Sequence, residues 1–296
     1  MSQTSHPYRS VLYMPGSNAR ALEKAKTLAV DALIFDLEDS VAPDQKALAR
    51  EQVCAAAQAA NHGDYGKRQI IVRSNALESD WGEDDLKAIA SAAPDIVLLP
   101  KVDRASDVHN AQALLQDAGL PVETSIWAMM ETPLSILHAE EIAASSPRLR
   151  GLVMGTSDLV KDIHGQHTRD RLPVISSLNV CVLAARAYRL VIVDGVYLDL
   201  NDSEGFAASC RQGLELGFDG KTLIHPKQLE AANTVFAPTA EQLDFARRII
   251  AAHAEAEAAG KGVVLVDGKL IENLHVQDAH RLVALDDTIA SLAASD

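Results

Sequence analysis

Short runs rich in Val, Ile and Leu recur along the chain, and the segments between them are alanine-rich with apolar residues at helical spacing. The runs are Val11–Met14, Ala32–Leu37, Gln69–Arg73, Ile96–Lys101, Thr124–Met130, Gly151–Met154, Leu190–Tyr197 and Lys221–Ile224, and intervening stretches such as Ala19–Val30 and Gln45–Ala60 read as helices. Strand and helix in alternation predict βα units around a parallel sheet. Eight strands predict a closed (β/α)8 TIM barrel. The competing architecture, an open doubly wound sheet, usually carries a glycine-rich dinucleotide turn after its first strand, and Pro15-Gly16-Ser17-Asn18 lacks that spacing.

Beyond His225-Pro226 the pattern changes. A long Ala/Glu-rich helix runs to about Gly260, followed by an apolar run Val263–Val266, Asp267-Gly268, Leu270-Ile271 and a last helical stretch. Asp-Gly between apolar runs signals a β-hairpin. The chain therefore divides into a barrel catalytic domain, 1–260, and a C-terminal hairpin-plus-helix extension, 261–296, expected to act as a lid, over a neighbouring subunit.

At 296 residues, 48% hydrophobic and 23% charged, the chain has the composition of a globular protein with a large core. A formal net charge of −14, without clustered Lys and Arg, excludes a non-specific nucleic-acid binder. Small anions in a cleft remain compatible, because charges are screened beyond about 8 Å at physiological salt. The start of the chain is polar, and no apolar run approaches the roughly 18 residues of a membrane span, so a cytoplasmic protein is expected. Cys54, Cys181 and Cys210 are scattered without ligand spacing and read as structural.

Barrel enzymes place their chemistry where strands end, and here those ends are polar: Asp36, Glu38 and Asp39 after the second run, Arg73, Lys101, Glu131 and Asp158 after the third to the sixth. Glu131 and Asp158, on adjacent strands, would face one space and suit Mg²⁺, which commonly takes one or two carboxylates and leaves its other positions to water and substrate. Asp158 may equally cap the helix that follows Gly155-Thr156-Ser157. Arg73 can grip a carboxylate with its two-pronged fork, or pair with Glu38 or Asp39. The adjacent carboxylates of Glu38 and Asp39 need a cation, either substrate- or metal-associated or a salt bridge to Arg73 or Lys101. His225, before Pro226, suits a general base or a turn anchor.

These residues lie in stretches that together resemble the citrate lyase β-subunit-like branch of the HpcH/HpaI aldolase superfamily, which includes malyl-CoA and citramalyl-CoA lyases. The stretches are 9–17, 35–43, Arg73-Ser74-Asn75, Leu99-Pro100-Lys101, Glu131-Thr132-Pro133, Gly155-Thr156-Ser157-Asp158 and Leu223-Ile224-His225-Pro226. The resemblance implies a homo-oligomeric barrel, a trimer or hexamer, with Mg²⁺ on Glu131 and Asp158, substrate on Arg73, and Arg20, Lys24, Lys26 or Lys101 holding coenzyme A. It implies Mg-dependent, reversible cleavage of a malyl-, citramalyl- or citryl-type 3-hydroxyacyl-CoA into an acyl-CoA and a 2-oxo acid. Alternatives are a hydroxyacyl-CoA thioesterase, a carrier-dependent citrate lyase β-type subunit and an aldolase on free 2-oxo acids. Relatives of this group draw a catalytic acid from an Ile-Asp-x-Pro motif; this chain reads Ile271-Glu272-Asn273-Leu274, so Glu272 is the expected proton carrier, one methylene longer.

Overall fold

The computed structural model describes residues 6–258, 260 and 264–293. Eight parallel strands close into a barrel in sequence order: β1 (Ser10–Pro15), β2 (Ala32–Asp36), β3 (Gln69–Arg73), β4 (Ile96–Leu99), β5 (Ser125–Met130), β6 (Leu149–Met154), β7 (Val191–Asp194) and β8 (Gly220–Leu223). Val11 pairs with Ala32 on one side and Thr222 on the other, so no edge strand is left. Every strand matches one of the eight apolar runs. The fourth and seventh runs are longer than their strands. Pro100 brings no N–H to a ladder and Lys101 adopts a left-handed backbone, φ 52°, while β7 stops where Asp194 meets Gly195.

Alternation divides the core in two. Val11, Ile34, Ile71, Leu98, Trp127 and Val153 point inward and fill the barrel axis, whereas the alternate residues Leu33, Phe35, Ile70, Val72 and Leu152 pack under the surrounding helices. Gly151 admits the indole of Trp127: a Cβ there would lie 2.4 Å from the ring. The register between β5 and β6 shifts at Ile126/Trp127.

Contacts group the chain into two compact units. Tyr8–Phe236 is the barrel. The other unit takes the described residues from Ala237 onward, with residues 6–7. It contains helix Ala240–Ala258, the antiparallel strands β9 (Val264–Val266) and β10 (Lys269–Ile271), and helix Asn273–Ala293. The sequence reading divides the chain at residue 260, whereas the contacts group helix Ala240–Ala258 with the segment after it. Asp267 and Gly268 both have positive φ, 51° and 75°, the geometry of the tight hairpin turn that Asp-Gly predicts. Ala246, Ile249, Val266, Ile271, Val276 and Ala279 form this unit's own small core. Val263, at the start of the expected strand, and the terminal residues of both expected domains lie outside the described residues.

Candidate active site

The strand ends bring Asp36, Asp39, Arg73, Glu131 and Asp158 to the wall of one cavity of about 330 Å³. Two separate charge clusters form it.

The first sits above β2 and β3. Asp36 and Arg73 are register partners, and both side chains are buried. Arg73 Nε donates to Asp36 Oδ1 at 2.7 Å and Nη2 to Oδ2 at 2.8 Å. The same carboxylate accepts the N–H groups of Glu38 (2.9 Å) and Ser40 (3.1 Å). Burial works against ionising Asp36, but the charge and hydrogen bonds of Arg73 and the two backbone donors outweigh it and hold the carboxyl below its usual range. Arg73 Nη1 remains for other partners. It lies 2.6 Å from Glu38 Oε2 and 3.5 Å from Asp39 Oδ2, and its guanidinium stands 5.0 Å above the ring of Tyr13. Glu38 Oε2 is buried and makes an ion pair without hydrogen-bond alignment. Burial raises the Glu38 carboxyl from 4.5 to about 7 against the opposing pull of Arg73, with Glu131 and Asp39 adding to the rise. Arg73 is thus a cation that neutralises Glu38 and Asp39, and Asp36 takes the two-pronged edge of its fork.

Lys46 supports this cluster from below. Its ammonium donates to Leu37 O (2.8 Å), Glu38 O (2.7 Å) and Asn75 Oδ1 (2.6 Å). Asn75 in turn donates from its backbone and side chain to Asp85 Oδ2, whose other oxygen accepts from Arg50 Nε at 2.6 Å. Sequence reasoning missed Lys46 and Asp85, although a signal existed. Lys46 falls on the buried stripe of helix Lys46–Asn61 with Ala49, Val53 and Ala57, and Asp85 on that of helix Gly82–Ala92 with Leu86 and Ile89. A charge on an apolar stripe must have buried partners.

The second cluster spans the ends of β4, β5 and β6. Glu131, one residue past β5, is buried, and Thr132-Pro133 starts a helix directly after it, Thr132 capping and Pro133 in the first turn. Glu131 Oε1 accepts the Lys101 N–H at 2.8 Å. A Cβ at Gly155 would fall 2.3 Å from Glu131 Cβ and 2.6 Å from its Oε2, so only glycine lets Glu131 lie there. Asp158 stands in the first turn of helix Thr156–Asp162, where the helix N-terminus favours a carboxylate. Its Oδ2 contacts Lys101 Nζ, which also lies 3.5 Å from Glu131 Oε1. Among the described residues no group of three or more His, Cys, Asp or Glu side chains is arranged to hold a metal ion.

Tyr13, Met129, Met154, Val196, Leu198 and Ile224 supply the apolar remainder of the wall. Arg20, Lys24 and Lys26 do not line the cavity. Arg20 and Lys24 are exposed on and around helix Ala19–Ala25, and Lys26 pairs with Glu23 (2.8 Å) and Asp64 (3.2 Å). His225 accepts the Lys227 N–H on Nδ1 at 3.0 Å, anchoring a turn. Glu272 belongs to the C-terminal unit, exposed, between β10 and helix Asn273–Ala293, with its N–H bound to His275 Nδ1. No described helix is long and apolar enough to cross a membrane.

A family model described as HpcH/HpaI aldolase/citrate lyase matches residues 9–226. A (3S)-malyl-CoA thioesterase of Cereibacter sphaeroides is 52% identical over 295 residues, covering 100% of both chains. A citrate lyase subunit beta of Escherichia coli is 38% identical over 280 residues, 93% of this chain and 91% of that one. The solved structure of protein CitE from Mycobacterium tuberculosis, in complex with magnesium, acetoacetate and coenzyme A, superposes with a TM-score of 0.75 at 27% identity, over 95% of this chain and 98% of that one.

Proposed function

The chain belongs to the HpcH/HpaI aldolase/citrate lyase family, and from that premise we propose that it hydrolyses the thioester of a malyl-type 3-hydroxyacyl-CoA with the help of Mg²⁺. One observation carries the choice of hydrolysis: identity to malyl-CoA thioesterase is 52% over the whole chain, against 38% for a citrate lyase β subunit. Carbon–carbon cleavage of the same ester is the second reading, favoured by the Glu272 carboxylate that stands in the motif position of the lyases' catalytic acid.

The donor set fits the metal. Glu131 and Asp158 offer two hard oxygen ligands on adjacent strand ends, the number Mg²⁺ commonly takes from protein, and a cationic Lys101 Nζ already rests on them. When bound, Mg²⁺ supplies Lewis acidity toward substrate oxygens. The rest is the work of side chains. Arg73 Nη1 faces the cavity as a single charged donor for the ester's free carboxylate, while Asp36 fixes the guanidinium plane. Met154, Val196 and Leu198 give the acyl group an apolar wall that thins the water around it. Arg20 and Lys24 are the exposed bases proposed to meet the phosphates of coenzyme A.

In hydrolysis a water oxygen adds to the thioester carbon, the C–S bond breaks, and the sulfur leaves as the thiol with one proton. Glu272 is proposed to take the proton of the attacking water; in carbon–carbon cleavage the same carboxylate would hand a proton to the carbon left by the departing 2-oxo acid. Incubation with Mg²⁺ and malyl-, citramalyl- and citryl-CoA, read by mass spectrometry with an EDTA control, tests the proposal. Free coenzyme A plus the intact hydroxy acid is expected. Acyl-CoA plus a 2-oxo acid would overturn hydrolysis in favour of cleavage. Glu272→Gln should abolish turnover while leaving Mg²⁺ binding unchanged, and a fully active variant would remove Glu272 from the mechanism.

A further inference from the structure

Lys101 holds Glu131 twice. Its N–H donates to Glu131 Oε1 at 2.8 Å from a left-handed backbone, and its Nζ lies 3.5 Å from the same oxygen while touching Asp158 Oδ2. The Glu131 side chain is 2% exposed, whereas those of Lys101 and Asp158 are 34% and 26% exposed. The buried acid is therefore fixed by a backbone bond, and the ammonium that joins it to Asp158 borders solvent.

An ammonium and a divalent cation claim the same oxygens here. Mg²⁺ demands close, near-octahedral oxygen ligands, and a lysine ammonium, a donor only, cannot share Glu131 Oε1 and Asp158 Oδ2 with it without strong repulsion between like charges. We propose that Lys101 is an exchangeable counter-cation of the Glu131–Asp158 site: its ammonium neutralises the pair, yields both oxygens to the divalent ion, and so sets the metal affinity. The inference rests on the proposed metal site and adds the regulation of that site. The exchange makes and breaks no covalent bond. Glu131 keeps its backbone partner throughout, so one ligand stays in place while the lysine chain swings.

Two measurements on the full-length protein test this. The first is calorimetric titration of Mg²⁺ into the wild type and Lys101→Met. The second is acetylation of wild-type lysines by an activated ester, with and without Mg²⁺, read at Lys101 by peptide mass spectrometry against exposed Lys24. The expected results are about tenfold tighter Mg²⁺ binding by the variant, equivalent to about 1.4 kcal/mol, and several-fold faster labelling of Lys101, but not Lys24, when Mg²⁺ is present. Equal or weaker binding by the variant, or Mg²⁺-independent labelling of Lys101, overturns the exchange and leaves the metal site standing. Failure of both proteins to bind Mg²⁺ sinks the metal site itself, and the exchange with it.

Discussion

The charges above β2 and β3 and those above β4 to β6 line one cavity, yet the two groups are held in opposite ways. Arg73 and Asp36 meet through two hydrogen bonds, both buried, and the Asp36 oxygens are filled by two further backbone donors. Lys101 and Asp158 are partly exposed, and their contact has no second prong. A bidentate, desolvated pair is a fixed part of the scaffold, while a half-exposed lysine pair contributes little to stability and can be exchanged. The comparison teaches that the barrel separates its permanent charge from its replaceable one by depth and by hydrogen-bond count.

The hardest way to break this contrast is to remove one partner from each cluster. Asp36→Ala should cost about 3–5 kcal/mol in urea unfolding, because it strands a buried guanidinium, whereas Asp158→Ala should cost less than about 1 kcal/mol. Equal losses would mean that the two clusters are not differently anchored. The next effect in size concerns Glu38, raised from 4.5 to about 7. Between those values the native protein binds more protons than the unfolded chain, so stability should fall as pH rises through the window, on the order of 2–3 kcal/mol in all. Glu38→Gln should flatten that part of the stability curve, and an unchanged slope would point to another group. Gly155→Ala sharpens the comparison on the exchangeable side. The added methyl has no room beside Glu131, so a loss of about 1–3 kcal/mol in thermal or urea melts should accompany weaker Mg²⁺ binding by calorimetry. Smallest of all, Lys101→Met should shift the metal-free unfolding free energy by less than about 1 kcal/mol; a loss as large as that of Asp36→Ala would place Lys101 among the fixed charges.

Sequence periodicity carried the barrel because parallel strands buried on both faces read as continuous apolar runs, and all eight do so here. Their ends were harder to read. The run ending in Lys101 looks like strand to its last residue, and only the proline before it warns that the chain turns. The polar strand ends named the cavity's charged residues, but not who holds whom. Asp36 was legible as a strand-end acid, whereas its grip on Arg73 follows from a register of β2 against β3 that one strand does not contain. Lys221 stood in an apolar run without comment; it is fully buried against Asp194, 2.9 Å away, with Arg171 on the other side of that carboxylate. Such partners are distant in sequence, and the helical stripe that exposes Lys46 as unusual has no counterpart for a lysine in a short strand.

The indole seated on Gly151 has a consequence for traffic. With Trp127 and its neighbours filling the axis, the barrel is a cup rather than a tube, and nothing passes through its floor. Ester, water and metal must enter, and both products must leave, on the side where the strands end. Arrivals and departures then share one doorway, so the first product to detach clears the way for the second, and the queue is imposed by the plugged floor rather than by the chemistry.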